Sequence, residues 1–178
     1  KKILMFLRTM EETQDNINFK RITESQTKIR TVSAASLDIA LSEIHALTPP
    51  DEDTEFHASL IAALTHLENA RDAFTNARPG SDIGAAFVQS RFSQCRALDV
   101  LYNHRADLPA LETYWFLADT DRTTRTTSIS SGDSLPAVGM MNRPRKQKHE
   151  DYSLYVPEYY TPQEKWPLIV CLHGGYGR

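Results

Sequence analysis

The sequence predicts an α-helical N-terminal bundle followed by the first strands of a truncated α/β domain. Apolar residues recur at helical spacing from about residue 31 to residue 119. A polar stretch rich in small hydroxyl side chains follows, and beyond it the apolar pattern changes to that of strands. With 178 residues, 40% of them apolar, the chain is long enough to bury a core.

Four segments have the apolar spacing of amphipathic helices and are joined by short connections, which favours antiparallel packing as a bundle. Pro49 and Pro50 end the first segment, because proline cannot continue the hydrogen-bond ladder. The acidic residues 51–53 are well placed to cap the second. The predicted helices cover residues 31–47, 56–77, 83–104 and 109–118.

The predicted domain boundary lies near Asp119. We expect a helical domain over residues 1–119, a linker over 120–138, and the start of an α/β domain over 139–178. The run 166–172 is apolar on both faces, as in a central strand that is covered on both sides of a sheet.

Composition limits the classes of partner. A formal net charge of -3 gives no reason to expect nucleic acid, and no stretch approaches the length of a membrane helix. The apolar run after Lys1 and Lys2 ends at Arg8, which is too short for a secretory leader. Cys95 and Cys171 are predicted to be buried, reduced thiols, which fits a cytoplasmic protein. The absence of an initiator methionine suggests that the start was trimmed.

Residues 152–157, YSLYVP, and 166–177, WPLIVCLHGGYG, resemble the early strands of α/β-hydrolases of the bacterial esterase, phospholipase and dienelactone-hydrolase type. The resemblance covers about residues 139–178. It implies a serine hydrolase that cleaves a small carboxylic ester by acyl transfer, with no metal or organic cofactor.

The resemblance also implies a place for the oxyanion site. Gly174, Gly175 and Tyr176 correspond to the oxyanion loop, whose backbone N–H groups meet the tetrahedral intermediate. His173 orients this loop and is not the catalytic base. Glycines after a buried strand also suit a tight turn without any catalytic role, and this structural alternative stays open.

Such an enzyme needs a Gly-x-Ser-x-Gly turn, an acid and a histidine after the oxyanion loop, and these 178 residues contain no such turn. We therefore expect that the chain is truncated at Arg178, that the nucleophile lies downstream, and that the fragment alone is inactive. Residues 132–135, GDSL, match the nucleophile block of another esterase group. The preceding residues, TTSISS, cannot form a buried strand, so we interpret GDSL as a turn that matches this block by coincidence. Ser134 would be the nucleophile only if that interpretation is wrong.

Two alternatives remain. The same early strands would serve a peptidase or a lactone hydrolase. The bundle could instead be a non-catalytic binding or oligomerisation module, and a bundle ending at Asp119 would have to cover Leu111, Trp115 and Phe116. The histidines of the helical part are dispersed and predict no metal site. They are His45, His57, His66 and His104.

Overall fold

A computed structural model describes residues 1–78, 83–105, 107–115, 139–143, 152–157 and 160–171. Their contacts divide the chain into a helical unit and a smaller unit that holds two strands. The helices are α1 (Lys2–Asp15), α2 (Ile22–Ala35), α3 (Leu37–Ala46), α4 (Thr54–Thr75), α5 (Ile83–Asn103) and α6 (Pro109–Trp115). Two 3₁₀ turns, Phe19–Arg21 and Asp51–Asp53, precede α2 and α4.

Helix α1 was not predicted, since its apolar start was considered only as a possible leader. It is amphipathic, and Phe6, Leu7 and Met10 on one side are fully buried. These three residues join a core to which all six helices contribute, and the longest helices, α4 and α5, form the most extensive pair. The other buried apolar residues of this core are Ile22, Ile29, Leu37, Ala63, Leu64, Leu67, Ala70, Phe74, Ala97, Leu101 and Leu111.

The predicted helix over residues 31–47 is broken at Ser36, whose backbone angles are φ −140° and ψ −70°. The buried Ser36 hydroxyl donates a hydrogen bond to the carbonyl of Val32, one turn earlier. A hydroxyl bonded in this way competes with the regular ladder and bends helices. The break therefore separates α2 from α3, although the sequence contains no proline or glycine there.

The acidic residues before α4 form a 3₁₀ turn, and Asp53 occupies the N-cap position. Its side chain makes no capping hydrogen bond. The predicted stop after α3 agrees with the structure, in which α3 ends at Ala46 ahead of Pro49 and Pro50.

In the second unit, β1 (Gly139–Arg143) and β2 (Tyr152–Val156) form an antiparallel hairpin. Gly139 lies opposite Val156, and Arg143 lies opposite Tyr152. This hairpin is the whole of the sheet among the described residues.

The predicted fold class is wrong at the run 166–172. Its described part, residues 166–171, has no regular secondary structure, and Leu168, Ile169 and Val170 are 79%, 81% and 69% exposed. The described residues therefore contain no α/β sheet and no buried central strand. An apolar run has a tendency to be buried, but a strand also needs neighbouring strands to pair with, and none of the described strands pairs with this run.

The two thiols also depart from the prediction, because Cys95 and Cys171 are both exposed. Cys95 lies on α5 outside the stripe that faces the core, and Cys171 follows the exposed run. No helix in the described ranges is long and apolar enough to span a membrane.

Candidate functional site

The residues of the predicted oxyanion loop, His173, Gly174, Gly175 and Tyr176, lie outside the described residues, as does Ser134. Their roles stay predictions. The described chain reaches Cys171, two residues before His173, and includes the segment that leads towards the loop.

That segment begins with a turn that is closed by local contacts. The amide of Tyr160 donates to the carbonyl of Pro157 over 2.9 Å. The indole N–H of Trp166 donates to the carbonyl of Thr161 over 2.8 Å, and the Tyr160 and Trp166 rings lie 5.8 Å apart. These contacts stabilise the turn that lies between β2 and Pro167. The run 168–171 follows this turn directly.

The most polar part of the helical core lies where α1 meets α5. The Gln14 amide donates to Ser90 Oγ over 3.0 Å, and Ser90 donates to the carbonyl of Ala70 over 2.8 Å. Arg91 donates to Gln14 Oε1 over 3.0 Å and pairs with Asp15 over 3.1 Å. These bonds satisfy both polar ends of the buried Gln14 side chain, so this contact joins three helices by specific partners.

A second polar contact ties α6 to the bundle. Burial, the charge of Glu11 and a hydrogen bond that the Tyr114 phenol donates to Glu11 raise the pKa of Tyr114 well above its usual range. Gln94 opposes this shift by donating a hydrogen bond to the same phenol oxygen. Gln94 is itself buried, and its Oε1 atom has no hydrogen-bond partner among the residues that the structure describes. Tyr114 therefore stays a neutral donor at physiological pH.

Arg71 of α4 is surrounded by acidic side chains. Its guanidinium lies 2.5 Å from Asp38, 2.7 Å from Asp72 and 3.2 Å from Glu68, and it also donates to Ser33. Burial by itself would lower the pKa of Arg71, but the hydrogen bond to Asp72 and the three carboxylate charges raise it. The cluster links α2, α3 and α4 and has the character of a structural ion-pair network.

The histidines do not meet a nucleophile in the described part of the chain. His57 Nε2 lies 2.8 Å from the carbonyl of Ile44, near the end of α3. His104 packs edge-on against Phe56 and lies 3.9 Å from Asp107. No three metal-ligating side chains come together among the residues that the structure describes.

An open apolar cleft of about 390 Å³ lies between α1, α3 and α4. Lys2 and Glu43 form an ion pair at its rim, and Leu47, which is 60% exposed, lies at one end. The remaining lining residues are Lys1, Ile3, Ala40, Ile44, Leu60 and Leu64. Leu111, which a bundle ending at Asp119 would have to cover, is buried in the core of the helical unit. The side chain of Trp115 and all of Phe116 lie outside the described residues.

No family model, curated protein sequence or solved structure matches this chain. The functional assignment therefore depends on the residues themselves. The polar contacts described for the helical unit join helices to one another. None of these contacts places a nucleophile beside a base.

Proposed function

We propose that this chain is the N-terminal part of a cytoplasmic serine hydrolase that cleaves a carboxylic ester by acyl transfer. The observation that carries the proposal is the local order of residues 152–171. The residues YSLYV form a strand that ends at Val156, a turn that begins at Pro157 follows, and the apolar run then leads towards His173. The same residues resemble the early strands of esterases, and their order of strand, turn and apolar run supports the proposal.

The chemistry follows from the residues after the run. In acyl transfer the carbonyl oxygen of the ester becomes an oxyanion, and backbone N–H groups aimed at it lower the barrier. Gly174, Gly175 and Tyr176 supply these groups, and His173 orients the loop that carries them. The serine, acid and histidine come from a segment after residue 178, and the helical unit is an accessory domain. A small ester is the substrate, and no metal or nucleic acid takes part.

The test uses the complete product of the gene, tagged in the helical unit and assayed with a short-chain ester, a lactone and a peptide. Replacement of Gly174 by proline removes one N–H donor and should lower ester turnover by about 10²-fold or more. Gly174→Ala keeps the donor and is the matched control. Equal turnover by the two variants would contradict the oxyanion role, and preference for the lactone or the peptide would select one of the other substrate classes.

The 178-residue chain gives a second, independent test. It should not react with a fluorophosphonate, because the proposed nucleophile lies downstream. Labelling that disappears in Ser134→Ala would instead identify Ser134 as the nucleophile and contradict the proposal.

A non-catalytic binding module is the second candidate, and the open cleft between α1, α3 and α4 favours it. If the complete gene product shows no esterase activity but is retained on a partner, and Ala40→Phe in the cleft abolishes the retention, the binding function replaces the catalytic one. Ala34→Phe, on an exposed part of α2, is the control.

A further inference from the structure

Helix α3 is the least buried of the three helices that line the cleft, although most of its ten residues are apolar. Its first residue, Leu37, is its only buried residue, and the next buried residue along the chain is Ala63 of α4. Ile39, in the first turn, is 41% exposed. Because a short helix in a protein is stabilised mainly by packing of its apolar face, α3 is weakly held beyond Leu37.

The start of α3 is anchored but is not continuous with α2. The break at Ser36 interrupts the helical backbone there. Arg71 of α4 bridges the break, since its guanidinium donates to Ser33 at the end of α2 and to Asp38 in the first turn of α3. With Leu37 buried between these two residues, the start of α3 is a fixed point at which the backbone direction can change.

The far end of α3 is held by weaker contacts. Glu43 pairs with Lys2 of α1 across the rim of the cleft, and these side chains are 60% and 40% exposed. His57 Nε2 of α4 lies 2.8 Å from the carbonyl of Ile44. After the helix, Leu47 has extended backbone angles, and Pro49 and Pro50 prevent continuation into α4. An exposed ion pair and one hydrogen bond therefore hold this end, with no fully buried side chain to support them.

We propose that α3 is a hinged flap, which rotates about the break at Ser36 and moves its far end away from α1 to open the cleft. The movement breaks the ion pair between Lys2 and Glu43 and uncovers Leu64, a cleft residue that is 2% exposed. Since an isolated helix of ten residues is unstable in water, α3 also loses its helical hydrogen bonds when it is released. The flap thereby controls access to the apolar surface of the cleft. The inference does not depend on the proposed enzymatic function, and its test needs no ligand.

The first measurement is the rate at which a thiol placed in the cleft is alkylated by iodoacetamide. The parent chain for this assay carries Cys95→Ser and Cys171→Ser, because both native thiols are exposed. Leu64→Cys reports on the cleft. Leu67→Cys is the control, since Leu67 lies about one turn further along α4, is 0% exposed and does not line the cleft. We expect Leu64→Cys to react at least about ten-fold faster, because its exposure requires only local opening.

A second pair of variants links this reactivity to α3. Lys2→Gln removes the ion pair at the rim and should raise the alkylation rate of Leu64→Cys by about two- to five-fold, in keeping with the modest strength of an exposed pair. Lys28→Gln is the matched control, since it makes the same change of charge and breaks an exposed pair with Glu12 that joins α2 to α1. It should leave the rate unchanged.

Hydrogen exchange measures the same movement without the thiol substitutions, so the test remains decisive if a cysteine variant does not fold. The amides of α3 should exchange faster than those in the middle of α2 and α4. Lys2→Gln should accelerate exchange in α3 and leave α2 and α4 unchanged. Lys2 lies on another helix, so its replacement does not alter the intrinsic exchange rates of the α3 amides.

Three results would overturn the proposal. The first is equal alkylation of Leu64→Cys and Leu67→Cys, and the second is protection of the α3 amides as strong as that of α4. The third is an alkylation rate of Leu64→Cys that Lys2→Gln does not change, which would mean that the cleft is permanently open and α3 is fixed. Faster alkylation in Lys2→Gln but not in Lys28→Gln, together with faster exchange in α3, would support the flap.

Discussion

The helical unit and the unit that carries the hairpin differ in how they treat their apolar residues. In the helical unit the core side chains are almost fully buried, and buried polar groups such as Gln14 and Ser90 have specific partners. In the second unit the most apolar run of the chain, at 168–170, is exposed to water. Helices complete their backbone bonds locally, whereas a strand depends on neighbours supplied from elsewhere.

The largest expected effect compares equivalent truncations in the two units. Leu67→Ala removes a side chain that is 0% exposed, and we expect a loss of about 3 kcal/mol in the free energy of unfolding. Ile169→Ala removes a side chain that is 81% exposed and should leave that free energy unchanged. Urea unfolding followed by far-ultraviolet circular dichroism measures both. Similar losses for the two variants would mean that the exposed run is packed in solution.

The second prediction compares two buried glutamines of the helical unit. Gln14→Leu breaks hydrogen bonds to Ser90 and Arg91 and leaves their polar atoms short of partners, which should cost about 2 kcal/mol. Gln94→Leu removes a side-chain oxygen that has no partner among the described residues, and it breaks the bond to Tyr114. We therefore expect its stability to stay close to that of the parent chain. If Gln94→Leu is the more damaging of the two, Gln94 has a partner in solution that this arrangement lacks.

The third prediction concerns alkaline pH. The folded chain raises the pKa of Tyr114, so above about pH 10 the unfolded chain loses the phenol proton while the folded chain keeps it. The unfolded state then binds fewer protons, and stability falls with rising pH by at most about 1.4 kcal/mol per pH unit. Below pH 10 this contribution does not vary. Urea unfolding of the parent chain and of Tyr114→Phe between pH 8 and about pH 11.5 measures the difference, and parallel profiles would show that Tyr114 titrates normally.

The sequence predicted the helices where periodicity and breakers agree. The predictions of 56–77 and 83–104 lie close to the observed Thr54–Thr75 and Ile83–Asn103. The face of α5 that meets the core was predicted only in part. The sequence suggested an apolar side with Phe87, Val88, Phe92, Cys95, Leu98, Leu101 and Tyr102, of which Leu101 and Tyr102 are buried and Cys95 is exposed. The buried stripe is more polar than this predicted side. That stripe consists of Ser90, Ser93, Gln94, Ala97, Leu101 and Tyr102.

The reason for this difference is close packing between helices. The Ser90 hydroxyl reaches the carbonyl of Ala70 on α4, and small side chains at such positions let two backbones approach. Hydropathy ranks serine as polar and so places it on the wrong side of the helix. The small residues Ser90, Ser93 and Ala97 recur at helical spacing, and this pattern in the sequence could have indicated the buried face of α5.

The candidate site was less predictable than the fold of the helices. A motif such as HGGYG specifies which backbone groups meet a substrate, but their positions depend on the strands around them. The sequence supplied an apolar run before His173 and could not supply its partners. The assignment of Gly174, Gly175 and Tyr176 therefore stays a prediction, which the activity assay tests directly.

The smallest expected effect concerns the ion pairs of the helical unit. Arg71 is mostly buried and contacts Asp38, Glu68 and Asp72, so Arg71→Gln should cost about 1 kcal/mol or somewhat more. Arg21 pairs with Glu24 and is largely exposed, so Arg21→Gln should cause no measurable loss of stability. Added salt should weaken any contribution of Arg21 more than that of Arg71, because exposed charges are screened more strongly.

Urea unfolding of both variants at low and high salt separates these contributions. If Arg71→Gln leaves the free energy of unfolding unchanged at both salt concentrations, water satisfies the acidic side chains around Arg71. The break at Ser36 then sets the angle between α2 and α3 without help from the ion pairs. If the loss persists at high salt, the buried guanidinium connects three helices that the apolar core does not by itself hold in place. That result would extend the contrast between the two units, since the helical unit would then be stabilised by specific polar contacts as well as by burial.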